Sequence, residues 1–367
     1  MVAVSLRAAG VAASAYVRRP GQRLPCLFRR AFSDNDDDDA PPPPARVALA
    51  QVRSTMNKTE NMAAVSKCAA LASAGGASFL CLPECFAFMG QSAKETVEEA
   101  EDIFPSRAPD GAPRTGIIDA LRSVAFEHNL WISAGGMHER TACGEEKVFN
   151  THFVLRPDGS LAGLYRKANL YDVSIPHRGI DLRESATTVP GSLGTVLVRD
   201  TPLGTVGLTI SNDVRFSEMY SALADAGADC VLVPSAFTVP TGAAHWSVLL
   251  RARAAEGQCY VFAAAQVGVH GPRRRSYGHS MAVDPWGEVA ADAGGYGGLQ
   301  RVGRGMVAEG AGCAGNEHDE PVPTPSVVFC DVDREMIGTV RERIPIAKQR
   351  AASQVRYGLP TDGLQEE

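Results

Sequence analysis

Three short segments place groups able to move protons or attack a carbonyl where apolar runs end. The first is Leu82-Pro83-Glu84-Cys85-Phe86, in which a carboxylate follows an apolar strand just where Pro83 stops regular pairing. The flanking Leu, Cys and Phe predict partial desolvation of Glu84, which raises a carboxyl pKa towards the range of a general base. The second is Tyr165-Arg166-Lys167-Ala168-Asn169-Leu170-Tyr171, where one lysine sits between aromatics shortly after the turn Pro157-Asp158-Gly159. The third runs from Gly207 through Ser211, Asn212 and Asp213 to Arg215 and Phe216: a strand enters a polar turn and then a helix. Such an elbow thrusts its side chain outward, and the following backbone N–H groups face whatever binds there. Each segment alone also has an ordinary structural reading: Glu84 as a cap, Lys167 as a solvated charge, Ser211 as a helix N-cap. Gly-x-Ser-x-Gly is absent, and no Ser/His/Asp set stands in a recognised order.

The elements that must carry these groups alternate. Strands are expected at 46–51, 77–82, 131–136, 148–155, 204–210, 230–234 and 260–265. Helices are expected at 57–73, closed by Gly75-Gly76, and at 117–129, 219–226 and 245–256. Two consecutive strands, 131–136 and 148–155, break a pure βαβ rhythm and predict one layered α/β domain with a mixed sheet. On the last helix Arg251, Arg253 and Glu256 are expected to form ion pairs, as are Arg215 and Glu218 at a helix start. His245-Trp246 reads as packing, and Arg273-Arg274-Arg275 as a solvated loop with some attraction for carboxylates.

The chain of 367 residues is 45% hydrophobic, 21% charged and 7% aromatic, an ordinary globular composition. Its formal net charge of −6 gives no broad reason to expect nucleic acid, and no apolar run is long enough to predict a membrane span. Nine dispersed cysteines without a CxxC read as reduced thiols. Residues 1–33 hold six arginines and no acid, the composition of an organelle transit peptide, and Arg30-Ala31-Phe32-Ser33 resembles a mitochondrial processing junction. A plastid or cytoplasmic location is the alternative. Residues 34–45, with five acids and four consecutive prolines, read as a solvated linker, so the folded domain is expected over 46–357, with a tail at 358–367. Within it, the Gly-rich stretch 291–326 reads as a surface insertion.

Taken in order, the three segments resemble the nitrilase superfamily of carbon–nitrogen hydrolases, which carries a Glu after a Pro, a Lys after Tyr/His-Arg, and a nucleophile at an elbow. Glu84 matches the base, Lys167 the lysine, and Glu184 in Leu182-Arg183-Glu184-Ser185 the additional glutamate. Further matches are Ser235-Ala-Phe, Thr241-Gly-Ala-Ala-His-Trp246, Leu249-Leu-Arg-Ala-Arg-Ala254, Gln258-Cys-Tyr-Val, Ala263-Ala-Ala-Gln266, Ser276-Tyr-Gly-His-Ser-Met281 and Asp284-Pro-Trp-Gly287. This second set is most similar to the deaminated glutathione amidases, relatives of the ω-amidases, and the resemblance spans 46–357. It implies a four-layer αββα sandwich, a homodimer, and hydrolysis of a small linear amide through an acyl-enzyme, without metal or cofactor. The implied roles are Glu84 as general base, Lys167 and the Asn212 N–H at the oxyanion, and Glu184 positioning Lys167. Thr241 in the 235–245 loop is a candidate substrate contact.

One departure stands at the nucleophile. Where the family reads Cys-Tyr-Asp-x-Arg-Phe-Pro-Glu, this chain reads Ser211-Asn212-Asp213-Val214-Arg215-Phe216-Ser217-Glu218. A thiol is driven to thiolate by one nearby base or cation, whereas an aliphatic hydroxyl is far less acidic. Loss of most amidase activity is therefore the physical expectation. Three readings remain open: a silent binding or interaction protein, a slow serine nucleophile with Lys167 as its base, and a serine introduced to trap substrate. Of the other thiols, Cys85 adjoins the base and Cys230 begins the next strand, and neither is at the elbow.

Overall fold

The computed structural model describes residues 44–103, 116–141, 146–175, 180–272, 274–296, 299–302, 305–308 and 323–356. The expected transit peptide, nearly all of the linker, part of the Gly-rich insertion and the C-terminal tail lie outside the described residues. The first half of the domain runs β1 (Ala45–Val52), α1 (Lys58–Ala74), β2 (Phe79–Leu82), α2 (Ala93–Glu98), α3 (Ile117–His128), β3 (Trp131–Arg140), β4 (Val148–Leu155) and β5 (Leu161–Arg166). A hairpin of β6 (Asp172–Ile175) and β7 (Ile180–Arg183) leads to β8 (Leu197–Thr201), β9 (Gly204–Leu208), α4 (Ser217–Asp225), β10 (Cys230–Leu232) and α5 (Val239–Gly257). Then come β11 (Tyr260–Ala263), β12 (Ala265–Gly271), β13 (Arg274–Tyr277), β14 (Met281–Val283) and β15 (Val289–Asp292). A second hairpin, β16 (Leu299–Val302) and β17 (Gly305–Ala308), precedes β18 (Ser326–Val332), α6 (Arg334–Arg343) and α7 (Ile346–Arg356).

Two sheets stack face to face between helical layers, as the resemblance implied. One has eight strands in the order β13-β12-β1-β2-β3-β4-β5, with β18 also pairing β1; the other has six, β15-β14-β11-β10-β9-β8. The period-two direction of side chains divides the strand residues among three cores. From β1, Val47 and Leu49 join Leu208, Leu232 and Phe262 between the sheets. Ala48 and Ala50 point the other way, to Val65, Leu121 and Ala125 of α1 and α3. On the far side Val231 and Val261 meet Tyr220, Trp246 and Leu250 of α4 and α5. Strands buried on both faces read as continuous apolar runs rather than alternating ones.

That ambiguity explains one correction. The run 260–265, expected as one strand, is two: the chain leaves the six-stranded sheet at Ala263 and enters the eight-stranded one at Ala265. Ser280 secures the switch, its Oγ accepting the Ala265 N–H at 2.8 Å and donating to Ala50 O at 2.9 Å. Elsewhere the expected elements are present with shifted ends, and Asn57 caps α1 by accepting the N–H groups of Thr59 and Glu60. Arg253 pairs with Glu256 at 2.7 Å as expected, but Arg251 donates to Gly287 O instead. No described helix is long and apolar enough to cross a membrane.

Candidate active site

Glu84 follows β2 in a turn pressed against β3. A Cβ at Gly136 would lie 2.6 Å from Glu84 Cγ, and Gly136 has φ +63°, so the close approach and the backbone angle both demand glycine there. Glu84 is buried, 5% exposed, and its carboxylate accepts three hydrogen bonds. Oε1 accepts from Lys167 Nζ at 3.0 Å and Asn150 Nδ2 at 2.9 Å. Oε2 accepts the Ala236 N–H at 2.9 Å, and the neighbouring Ser211 favours the charged carboxylate. Gln266, from β12, holds the main chain beneath by donating to Glu84 O at 3.0 Å.

Lys167 emerges from β5 and is almost wholly buried. Its Nζ reaches Glu84 Oε1 at 3.0 Å, Glu184 Oε1 at 3.0 Å and Glu184 Oε2 at 2.8 Å. The β6–β7 hairpin returns the chain so that Glu184 lies beside Lys167, and the Tyr171 N–H donates to Glu184 Oε2 at 2.7 Å. Two carboxylates thus share one ammonium group, a donor of three hydrogens. Burial alone would lower the Lys167 pKa, but Glu184 and Glu84 together hold it well above the ordinary lysine range. Lys167 therefore stays protonated, which removes it as the base for Ser211.

Burial pushes the Glu84 pKa up, but the charge and hydrogen bond of Lys167, with the neighbouring Ser211 and the Asn150 hydrogen bond, outweigh it, and the group ends below the usual carboxyl value. The expected rise towards neutral is thus corrected. The local apolar sequence is real, and a cation 83 residues away overrides it.

Ser211 opens a 3-10 turn between β9 and α4 at φ +48°, a left-handed angle that costs a non-glycine residue energy. Asp213 fixes this turn: it accepts from the Ile210 N–H at 2.8 Å, Tyr165 Oη at 2.9 Å and Asn169 Nδ2 at 2.9 Å. Asn212 ties the turn to the lysine loop by donating to Leu170 O at 3.1 Å, and its Oδ1 accepts from Arg215 Nε at 3.0 Å. Arg215 does not form the expected pair with Glu218. Its guanidinium contacts His245 Nδ1 at 3.2 Å and lies over the Phe237 ring, with its centroid at 5.2 Å. Thr241, on the first turn of α5, shares a hydrogen bond with Thr238 at 2.8 Å and stands one helical turn before His245.

Sequence reasoning missed Asn150, the Ala236 N–H and Gln266. The visible signal for Asn150 was a run of polar residues, Asn150-Thr151-His152, inside an otherwise apolar strand. Cys85 lies next to Glu84, but its Sγ is turned to His138 Nε2 at 3.9 Å and burial pushes its thiol up to about 12. Cys230 is buried between the sheets. Among the described residues, no three His, Cys, Asp or Glu side chains are placed to share a metal ion.

A two-sheet sandwich that brings a buried Glu–Lys–Glu cluster to the residue at a strand-to-helix elbow has the architecture of the nitrilase superfamily. The sequence pattern of the carbon–nitrogen hydrolases matches residues 46–299, and the chain belongs to that family. It is 37% identical over 304 residues to a deaminated glutathione amidase of Dictyostelium discoideum, covering 82% of this chain and 92% of that one. It is 43% identical over 248 residues to the nitrilase and fragile histidine triad fusion protein NitFhit of Drosophila melanogaster, covering 68% of this chain and spanning only 50% of that protein. The crystal structure of Saccharomyces cerevisiae Nit3, a member of branch 10 of the nitrilase superfamily, is similar with a TM-score of 0.64 and 26% identity, covering 84% of this chain and 97% of that one.

Proposed function

We propose that this protein is an amidase that hydrolyses a small linear amide of the deaminated-glutathione class through an ester on Ser211. The observation that carries the reading is a Glu84 paired with Lys167 and held at the elbow: Glu84 accepts the Ala236 N–H, two residues after the Pro234 carbonyl that accepts the Ser211 N–H. In this scheme Ser211 Oγ attacks the amide carbon while Glu84 takes its proton, and Lys167 and the Asn212 N–H stabilise the oxyanion. The C–N bond then breaks as Glu84 returns the proton to the leaving nitrogen, and water cleaves the ester with Glu84 as base. Glu184 keeps Lys167 charged and aimed. Arg215, half-buried without a described carboxylate partner, supports a substrate that ends in a carboxylate, with Thr241 one turn of α5 before its contact His245.

A second reading is favoured by the electrostatics. Lys167 is protonated and Glu84 is a weak base, so nothing in the site matches an alkoxide, and the pocket then binds its amide without turnover. The test measures release of the α-keto acid and of cysteinylglycine from deaminated glutathione by the full chain, Ser211→Cys and Glu84→Gln. Expected is slow turnover by the natural serine, a gain of about 100-fold or more in Ser211→Cys, and loss in Glu84→Gln. Turnover by the cysteine form alone supports the binding reading. Turnover by neither ends the assignment.

Two broader readings accompany this one. The basic, acid-free 1–33 segment supports import into mitochondria, to be read from a fluorescent fusion with and without it. The exposed Phe216 and Val248, at the start of α4 and along α5, support a homodimer through that face, to be read from the solution mass of Val248→Glu.

A further inference from the structure

The hydrogen-bond ring around Lys167 has a corner that carries no charge. Asn150, in β4, sends both hydrogens of its side-chain amide to carboxylates: Nδ2 lies 2.9 Å from Glu84 Oε1 and 3.2 Å from Glu184 Oε1. Those are the two oxygens that Lys167 Nζ reaches at 3.0 Å each. The main chain ties the corners closer still, since the Lys167 N–H donates to Asn150 O at 2.8 Å. The acceptor end of the same amide, Oδ1, is buried without a hydrogen-bond partner, and it is the one such side-chain atom among the described residues. A buried carbonyl left unpaired keeps the cost of its lost hydration. Turning the amide over recovers nothing, because Oδ1 would then face two carboxylate oxygens. Its donors alone hold the side chain in place.

We infer that Asn150 is a positioning residue, which holds Glu84 in register with position 211 by giving both glutamates a donor that adds no charge. The inference deepens the amidase reading and rests on it for the role of Glu84. A cation at this corner would make Glu84 a still weaker base, and a third carboxylate would compete for the single lysine. A neutral double donor avoids both. The other groups around the ring leave this role to Asn150. His138, its register partner on β3, is half-buried with its pKa pushed down to about 4 and is neutral near pH 7. Cys85 is a buried thiol, and Arg274 and Lys58 act on His138 only through their distant charge. Asp213 feels Lys167 but is occupied by its own donors. The Glu139–Arg166 pair, with Thr151, stands on the opposite face of β4.

The test uses the full chain carrying Ser211→Cys, alone and with Asn150→Asp or Asn150→Leu. Alkylation of the introduced thiol by iodoacetamide is followed against pH, beside amide hydrolysis and thermal unfolding. Asn150→Asp is expected to move the alkylation midpoint up by about one pH unit or more. Asn150→Leu is expected to slow alkylation near neutrality about tenfold with little change in melting. If Asn150→Asp fails to fold, Asn150→Leu decides alone, since it adds no charge. Profiles that superimpose on the parent overturn the inference, whether or not amide is hydrolysed. Profiles that shift while no form hydrolyses amide sustain it and sink the amidase reading instead.

Discussion

At Lys167 one ammonium answers two carboxylates in a place that is 2% exposed, so charge balance and fold are joined at a single atom. Replacing it with methionine leaves Glu84 and Glu184 facing each other without a cation. Lys167→Met is expected to lose about 3–5 kcal/mol, because breaking a buried pair strands a charge. The double variant Lys167→Met/Glu84→Gln is expected to recover a good part of that, and urea unfolding of the four proteins in the cycle measures the coupling. Equal losses in the single and double variants would refute it. The depressed Glu84 pKa gives the sign with pH: its contribution is present above the unfolded carboxyl value and is lost as pH falls through the folded one. Glu84, Lys167 and Ser211 were legible as positions because each stands where an apolar run ends. The direction of the Glu84 shift was not, because its cause lies in β5 and its loop, far along the chain. Asn150 was not legible either, since nothing within a strand tells which polar residue faces a charge.

Among the elements, the two sheets approach closely beside the site. A Cβ at Gly135, in β3, would lie 1.9 Å from the Pro234 Cβ and 2.8 Å from Leu82 O. Pro234 O is also the acceptor of the Ser211 N–H at 2.9 Å. Gly135→Ala is therefore expected to wedge the β2 end from the β10 end and move Glu84 away from Ser211. The expected cost is about 1–3 kcal/mol of overpacking, with a larger relative loss in the reactivity of position 211 than in melting temperature. Thermal unfolding and thiol alkylation in the Ser211→Cys background read the two effects separately. At this scale the helices and the two-strand interruption were legible from periodicity and caps. The switch of sheet at Ala264 was not, since tertiary hydrogen bonding to Ser280 decides it and no turn residue marks it.

Across the molecule, three histidines among the described residues, His152 and His270 buried and His138 half-buried, add to the response to acid. His138, His152 and His270 have their pKa values pushed from 6.5 down to about 4, chiefly by burial. A depressed histidine contributes stability that is full above the unfolded pKa and is lost as pH falls towards the folded one. Each shift corresponds to about 3 kcal/mol, so unfolding free energy is expected to drop by several kcal/mol between about pH 6.5 and 4. Urea midpoints at about pH 7, 5.5 and 4.5 check this, and a flat series would mean that the histidines charge freely inside the fold. The four-layer architecture was legible through motif resemblance, whereas the partner of the first strand was not. That partner is β18, which lies antiparallel along β1 from Ala45↔Val332 to Gln51↔Ser326, with Arg46 and Asp331 joined at 2.7 Å. The eight-stranded sheet is thus completed by the last described strand, whose loop-closure entropy is paid across the domain. A growing chain cannot settle its opening strand until nearly all of the domain has been synthesised. Until then β1 keeps an open edge, and the half-made protein depends on whatever shields such edges from one another.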